Sequence, residues 1–177
     1  MMTSVIASLM ATVSVAAGAT SQPAAEEAAA YRELPMHRIQ VIGSHNSYKR
    51  APQPELMRLM SLASRETEGI DYGHVSITDQ LNLGLRNLEL DVLHDPEGGR
   101  YASPLGNRLL VEAGGVPWEF DAKGELREPG FKVSHDADFD FRSWHHTLAS
   151  ALGTMREWSE ANPGHVPIMV CLLYTSR

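Results

Sequence analysis

Four short segments of the chain predict β-strands, because each is apolar or alternates apolar and polar residues between turn-forming positions. They comprise residues 38–43, 85–93, 131–135 and 166–170. Helical or looped crossovers separate these segments, and crossovers of this kind favour parallel pairing of the strands. The pattern therefore predicts an α/β fold built on a parallel sheet.

Three further segments predict helices, because they combine apolar residues at helical spacing with capping residues. They comprise residues 54–66, 76–81 and 141–162. Ser76 or Thr78 is the expected cap of the short middle helix, and Asp138 or Asp140 is the expected cap of the last helix.

The stretch between the second and third predicted strands has a different character. Residues 94–129 contain many Gly and Pro residues and no long periodic run. They predict an inserted loop, with a hairpin around residues 109–111.

Polar side chains collect at the carboxyl-terminal ends of the predicted strands. His45 follows the first strand, Asp91 lies near the end of the second, and His135 ends the third. A parallel α/β barrel keeps its active site at this end of its strands and needs roughly 250 residues. We therefore predict the N-terminal part of a TIM-type barrel, truncated after about the fourth strand.

The composition limits the class of partner. Of the 177 residues, 43% are hydrophobic, which is enough for the core of one domain or of part of a larger one. The formal net charge of -7 argues against nucleic acid and against bulk attraction to anionic lipid. Any lipid contact would therefore have to be local.

The first residues predict export from the cytoplasm. Residues 1–19 contain no charged side chain and end in an Ala-Gly-Ala site, which is typical of a secretory signal peptide cut before Thr20. The run is too short and too rich in Ala, Ser and Thr for a transmembrane anchor. Residues 20–36 predict a linker, and the protein would be secreted or periplasmic.

The last residues differ from the rest of the predicted domain, which spans residues 37–170. Residues 171–177 follow the fourth predicted strand without a turn, and they match the translation of a sequencing-library adapter. We predict a non-native tail; the alternative is a genuine C-terminus. Because Cys171 is the single cysteine and lies in this tail, neither disulfide nor thiol chemistry enters the interpretation.

Glu89 and Asp91 are the strongest candidates for chemistry. They lie two residues apart on a predicted strand, so both side chains point to one face. Two neighbouring carboxylates repel each other unless a cation or a shared proton compensates. With an amide oxygen from Asn46 they suit Ca²⁺, or less well Mg²⁺. The alternative is a buried ion pair with Arg86 or with a lysine elsewhere.

Histidines accompany these carboxylates. His135 follows the third strand at a position where it would face His45, although a hydrogen-bonded loop histidine is the ordinary alternative for His45. The Asp-rich run after His135 is not an EF-hand, because its sixth and twelfth positions are Phe141 and Thr147. His145-His146 predicts a surface role.

Several motifs in order resemble the bacterial calcium-dependent phosphoinositide phospholipase C family, one of the PLC-like phosphodiesterases with a TIM-type barrel. The motifs are Ile42–Lys49, Gly84–Asp91, His94–Pro96 with Gly99–Ala102, and Val133–His135. The resemblance covers roughly residues 37–170. It implies that His45 and His135 are catalytic and that Asn46, Glu89 and Asp91 bind Ca²⁺.

The resemblance further implies an enzyme that cleaves phosphatidylinositol-type lipids to diacylglycerol and a cyclic inositol phosphate. Its partner would be a phospholipid headgroup at a membrane surface. The family usually supplies another acidic ligand after the fourth strand, where this chain passes from Val170 into the adapter-like tail. Lys49 is a weaker candidate for phosphate contact, with a solvated surface lysine as the alternative. Two alternative functions are a glycerophosphodiester phosphodiesterase and a non-catalytic, secreted headgroup-binding barrel.

Overall fold

The computed structural model has a mixed α/β fold and describes residue 30 and residues 33–63 and 67–175. Its regular elements, labelled in chain order, are the 3₁₀ helix Met36–Arg38, β1 (Gly43–Ser44), α1 (Pro54–Leu62), α2 (Ile77–Asn82), β2 (Asn87–Asp95), α3 (Leu105–Glu112), the 3₁₀ helix Glu125–Arg127, β3 (Gly130–Val133), α4 (Leu148–Ala161) and β4 (Met169–Thr175). None of the described helices is long and apolar enough to span a membrane. The predicted signal peptide, residues 1–19, lies outside the described residues.

Strand β2 is the centre of the sheet and is paired along both edges. On one edge β1 pairs with its first residues in parallel, and β3 pairs with its last residues in an antiparallel direction. On the other edge β4 runs parallel to β2 over its whole length, from Asn87–Met169 to Leu93–Thr175. The prediction of parallel pairing is confirmed for β1 and β4 and wrong for β3. Alternation reveals which residues form a strand but not its direction, and the insert after β2 reverses the chain before β3.

The main core lies between β2 and two helices. Leu88, Leu90 and Val92 project from one face of β2 and are buried against residues of α2 and α4. Since side chains alternate along a strand, the opposite face of β2 carries Glu89 and Asp91. The same strand therefore anchors the core on one face and presents two carboxylates on the other.

A second, smaller apolar cluster supports the loops beyond the carboxyl end of β2. Leu56 and Met60 of α1 pack against Phe141. Helix α3 lies close to α1 at Gly106, where an added Cβ would lie 2.9 Å from a Leu56 methyl group and 2.8 Å from the carbonyl oxygen of Asp138. The hairpin predicted around residues 109–111 is wrong, because that segment is part of helix α3. The close approach at Gly106 shows which side of this helix faces α1.

Other predicted boundaries also shift. The first strand, predicted over residues 38–43, is β1 (Gly43–Ser44) and overlaps the prediction only at Gly43, and the first 3₁₀ helix ends at Arg38. The helix predicted over residues 141–162 begins at Leu148, because the Thr147 side chain accepts a hydrogen bond from Ser150 N and caps it there. The cap predicted at Asp138 or Asp140 is therefore wrong. Ser76 caps α2 as predicted, by accepting a hydrogen bond from Asp79 N.

The predicted fourth strand and the predicted tail form one element. Strand β4 begins at Met169 and continues through residues 171–175 without a break. The origin of that segment stays a prediction, but its conformation is that of a strand paired with β2.

Candidate active site

The loop after β1 brings its polar residues against β2. Ser47 N donates to the carbonyl oxygen of Glu89 at 3.0 Å, and Glu89 N donates to Ser47 Oγ at 2.9 Å. Gln80 of α2 holds the same loop by donating to the carbonyl oxygen of Ser47 at 2.6 Å. Asn46 turns the chain with φ of 50°, a left-handed conformation that asparagine tolerates better than most residues. The loop is thus fixed where His45 and Asn46 adjoin the carboxylate face of β2.

His45 lies at the mouth of this arrangement. Its Nε2 is 3.4 Å from Glu89 Oε1, and its side chain is 69% exposed. Its main chain is also held, since His74 Nε2 lies 2.8 Å from the carbonyl oxygen of His45. The main chain of His45 is therefore fixed, and its exposed imidazole lies against the Glu89 carboxylate.

Glu89 does not form the ion pair with Arg86 that was the alternative to a metal site. The Arg86 guanidinium instead donates to the carbonyl oxygens of Leu81 and Leu85 and lies over the ring of Trp158. Glu89 is left facing the mouth of the site with His45.

The two carboxylates each have an unused buried oxygen. Among the described residues, neither Glu89 Oε1 nor Asp91 Oδ1 has a hydrogen-bond partner. Burial raises the pKa of Asp91, as does the Glu89 charge, whereas the Tyr48 hydroxyl, His135 and His45 oppose that rise. Buried acceptors of this kind are normally satisfied, and carboxylate oxygens are the ligands that Ca²⁺ prefers. These two oxygens therefore fit a hard cation.

Two tyrosines hold the Asn46 amide. The wholly buried Tyr48 hydroxyl donates to Asn46 Oδ1 at 3.2 Å, and Asn46 Nδ2 donates to the Tyr72 hydroxyl at 2.8 Å. Burial and then the Asp91 carboxylate raise the pKa of Tyr48, so Tyr48 stays a neutral donor. The Tyr72 hydroxyl also lies 3.3 Å from His45 Nδ1. Asn46 is thus placed between the carboxylates and His45.

His135 approaches the same carboxylates from β3. Ser134 N donates to the carbonyl oxygen of Asp91 at 3.3 Å, so the next residue lies beside that strand. His135 Nδ1 is 2.8 Å from Asp140 Oδ2, and this hydrogen bond raises the pKa of His135 against the effect of burial. His135 therefore follows the residue that is hydrogen-bonded to Asp91, whereas His45 contacts Glu89.

Lys49 differs from both of its predicted roles. It is wholly buried, so the alternative of a solvated surface side chain is wrong. Its Nζ donates to the carbonyl oxygens of Ile70 and Tyr72, each at 2.6 Å, and lies 3.1 Å from Asp140 Oδ1. The Lys49 ammonium is therefore bound to groups inside the protein and does not face a phosphate from solvent.

Other polar residues near the site make hydrogen bonds that stabilise the fold. The surface role predicted for His145-His146 is wrong, because His146 is buried with Nε2 bonded to the carbonyl oxygen of Phe120, and His145 is half-buried beside Ser150. Asp138 Oδ1 accepts a hydrogen bond from Leu105 N at the start of α3.

The donor set for calcium is incomplete in the described part of the chain. Strand β4 places Cys171 beside Glu89 and Leu173 beside Asp91, and neither side chain carries an oxygen. The described residues include no group of three or more His, Cys, Asp or Glu side chains able to hold a metal ion. Asn46, Glu89 and Asp91 therefore fit as part of a calcium site.

The comparison with protein families agrees with this chemistry. The family model for Ca²⁺-dependent phosphoinositide phospholipase C matches residues 34–176. The chain therefore belongs to that family, whose name indicates dependence on calcium. No curated protein and no solved structure is significantly similar to the chain.

Proposed function

We propose that this chain carries the catalytic residues of a secreted phosphoinositide phospholipase C that cleaves phosphatidylinositol-type lipids at a membrane surface. The observation that supports this most directly is that the loop of His45 and Asn46 and the residue before His135 both hydrogen-bond to the part of β2 that carries the two carboxylates, residues 89–91. The two unused carboxylate oxygens give that part of β2 the character of a cation site. Membership of the phospholipase C family supplies the substrate class.

We propose further that the sheet is the beginning of a TIM-type barrel. Strands β1, β2 and β4 run parallel, and the loop that carries His45 and Asn46 follows the carboxyl end of β1, as active-site loops do in barrels of this type. Glu89 and Asp91 lie within β2, and His135 follows the antiparallel β3. Because β3 is antiparallel, it belongs to the connection between β2 and β4. The fragment would then contain three barrel strands.

Calcium, held by Glu89, Asp91 and Asn46, would neutralise the charge of the phosphodiester when bound. The Glu89 carboxylate accepts the proton of the inositol 2-hydroxyl, and the resulting oxygen attacks phosphorus. The bond from phosphorus to the diacylglycerol oxygen breaks as that oxygen takes a proton from His135. The products are diacylglycerol and a cyclic inositol phosphate.

The hydrogen bonds favour these assignments. Asp140 accepts from His135 Nδ1 and raises the pKa of His135, so the protonated ring presents Nε2–H to the leaving group. The Tyr72 hydroxyl accepts from the Asn46 amide, so its own proton points to His45 Nδ1. His45 then carries its proton on Nε2, which faces Glu89 Oε1 at 3.4 Å and would turn from it to donate to a charged phosphoryl oxygen.

The test is release of soluble inositol phosphate from phosphatidylinositol vesicles by the full-length protein, with calcium or with a chelator. We expect release with calcium only. His45→Ala and His135→Ala should each lose about 10²–10⁴-fold in rate, which is the usual value of general acid–base help. His37→Ala is the matched control, because His37 is exposed on the first 3₁₀ helix.

Three outcomes would contradict the proposal. Turnover that resists the chelator would remove the calcium assignment. Release of glycerol 3-phosphate from glycerophosphocholine, without cleavage of phosphatidylinositol, would favour a glycerophosphodiester phosphodiesterase. Calcium-dependent binding to vesicles without turnover would favour a non-catalytic headgroup-binding protein.

A further inference from the structure

Two lysines of this chain, Lys49 and Lys132, are wholly buried. Burying an ammonium is strongly unfavourable unless it is paired and hydrogen-bonded. Both lysines meet that requirement in the same way, with two main-chain carbonyl oxygens and one aspartate. Because the partners are of the same kind, the two lysines can be compared by which parts of the molecule they join.

Lys132 connects elements of the fold only. Its Nζ donates to the carbonyl oxygens of Glu125 and Glu128 and lies 4.0 Å from Asp95 Oδ2. These contacts tie the second 3₁₀ helix to the end of β2. Lys132 is therefore a structural buried lysine.

Lys49 instead connects residues that contact the two histidines. One branch runs through Tyr72. Its carbonyl oxygen accepts from Lys49 Nζ, and the centre of its ring lies 4.3 Å from that ammonium. Its hydroxyl lies 3.3 Å from His45 Nδ1. The other branch runs through Asp140, with Oδ1 3.1 Å from Lys49 Nζ and Oδ2 2.8 Å from His135 Nδ1. One buried cation is thus a single residue away from each imidazole.

The segment that carries Tyr72 is irregular and is held by individual hydrogen bonds rather than by a helix or strand. Residues 71–76 belong to no helix or strand, and their described contacts near Lys49 include His74 N bonded to the Lys49 carbonyl oxygen at 2.9 Å. Lys49 therefore holds this segment through both its main chain and its ammonium. Without the ammonium, the carbonyl oxygens of Ile70 and Tyr72 lose a donor, and Asp140 loses its counter-charge.

We propose that Lys49 is a positioning residue that fixes the orientation of His45 and His135 together, through Tyr72 and Asp140 respectively. The proposal rests on the proposed function in treating these histidines as the catalytic pair. Lys49 does not touch the substrate, and its effect on the reaction passes through the two histidines. A displacement of catalytic groups by about 1 Å can cost on the order of 10²-fold in rate.

The test compares Lys49→Met with Lys132→Met, because both remove a buried ammonium that has the same kinds of partner. Histidine ring ¹⁵N resonances of the full chain are recorded without calcium or substrate and are assigned with His45→Ala and His135→Ala. Urea unfolding gives the stability of each variant, and kcat and KM are measured per folded molecule. Tyr72→Phe and Asp140→Asn each cut one branch.

Both lysine variants should lose stability, but only Lys49→Met should move the ring resonances of His45 and His135. It should lower kcat by on the order of 10²-fold with little change in KM, whereas Lys132→Met should keep the kcat of the parent chain. Tyr72→Phe should move the resonances of His45, and Asp140→Asn those of His135. Where Lys49→Met does not fold, Lys49→Met combined with Asp140→Asn removes the unpaired carboxylate and is compared with Asp140→Asn alone, from which it should differ in the His45 resonances; no difference would overturn the coupling.

The coupling is overturned if folded Lys49→Met leaves both histidine resonances in place or moves one alone. It is also overturned if Lys132→Met produces the same displacement. Displaced resonances in a chain that lacks phospholipase activity would refute the proposed function and leave the coupling intact. The two proposals can therefore fail separately.

Discussion

Replacing Asp140 by Ala should destabilise the fold by about 3–5 kcal/mol, because it leaves a buried ammonium without its counter-charge. The Asp140 carboxylate is 1% exposed, and the Lys49 side chain is wholly buried. Lys49 keeps its two carbonyl partners in the variant, which places this loss near the lower limit. The bond to His135 adds about 0.5–1.5 kcal/mol at most, because the imidazole is 33% exposed and can turn to water.

Urea unfolding followed by tryptophan fluorescence, with a chelator present, measures this loss. Asp95→Ala is the matched control, because Asp95 is also buried and faces the other buried lysine, Lys132, at 4.0 Å. That longer contact predicts a smaller loss from the missing ion pair. A cost for Asp140→Ala below about 1 kcal/mol, the value of an exposed pair, would refute the reasoning.

The loss for Asp140→Ala should also depend on pH. Asp140 raises the pKa of His135 above its unfolded value of about 6.5. That contribution to stability is fully present below the unfolded pKa and is lost as the pH rises through the folded pKa. The free energy of unfolding should therefore differ more between the parent chain and the variant at about pH 5.5 than at about pH 9. The opposite trend would contradict the assignment.

Two further predictions concern stability alone and use the same unfolding assay. Ser76→Ala removes the cap of α2 and should cost about 0.5–2 kcal/mol, whereas Ser61→Ala, on the exposed side of α1, should change stability by no more than about 0.5 kcal/mol. Leu90→Ala, wholly buried in β2, should cost about 2–5 kcal/mol, and Leu83→Ala, 74% exposed, should again stay within about 0.5 kcal/mol. Equal losses within either pair would contradict the packing described.

The parts of the fold that could be predicted are those with a local cause. Ser76 lies directly before α2 and caps it by accepting a hydrogen bond from the main-chain N–H of Asp79, three residues further along the chain. Leu88 and Leu90 alternate with Glu89 and Asp91, so the strand and its two faces follow from the sequence pattern. The approach of His45 to Glu89 follows from parallel pairing of β1 with β2, because the register places the residue after Ser44 beside the residue after Leu88.

The parts that could not be predicted depend on distant contacts. The Leu109-Leu110-Val111 run suits a strand, yet it lies in helix α3, which packs closely against α1 at Gly106. Tyr72 and Asp140 lie in irregular segments, where no periodicity indicates burial or direction. The burial of Lys49 could not be predicted, because the carbonyl oxygens that accept from its ammonium are more than 20 residues away along the chain. The hydrogen bond from the Tyr48 hydroxyl to Asn46 Oδ1 lies within the same motif as His45 and was also not predicted.

The left-handed backbone of Asn46 restricts which amino acids that position can accept. Branched and bulky residues are disfavoured there, whereas Gly, Asn and Asp tolerate the conformation. Replacing Asn46 by Ala would therefore combine two effects, strain in the main chain and loss of the amide oxygen. Asn46→Gly keeps the turn while deleting the amide, and Asn46→Asp keeps the turn while adding a charge. That pair separates what the position contributes to shape from what it contributes to chemistry.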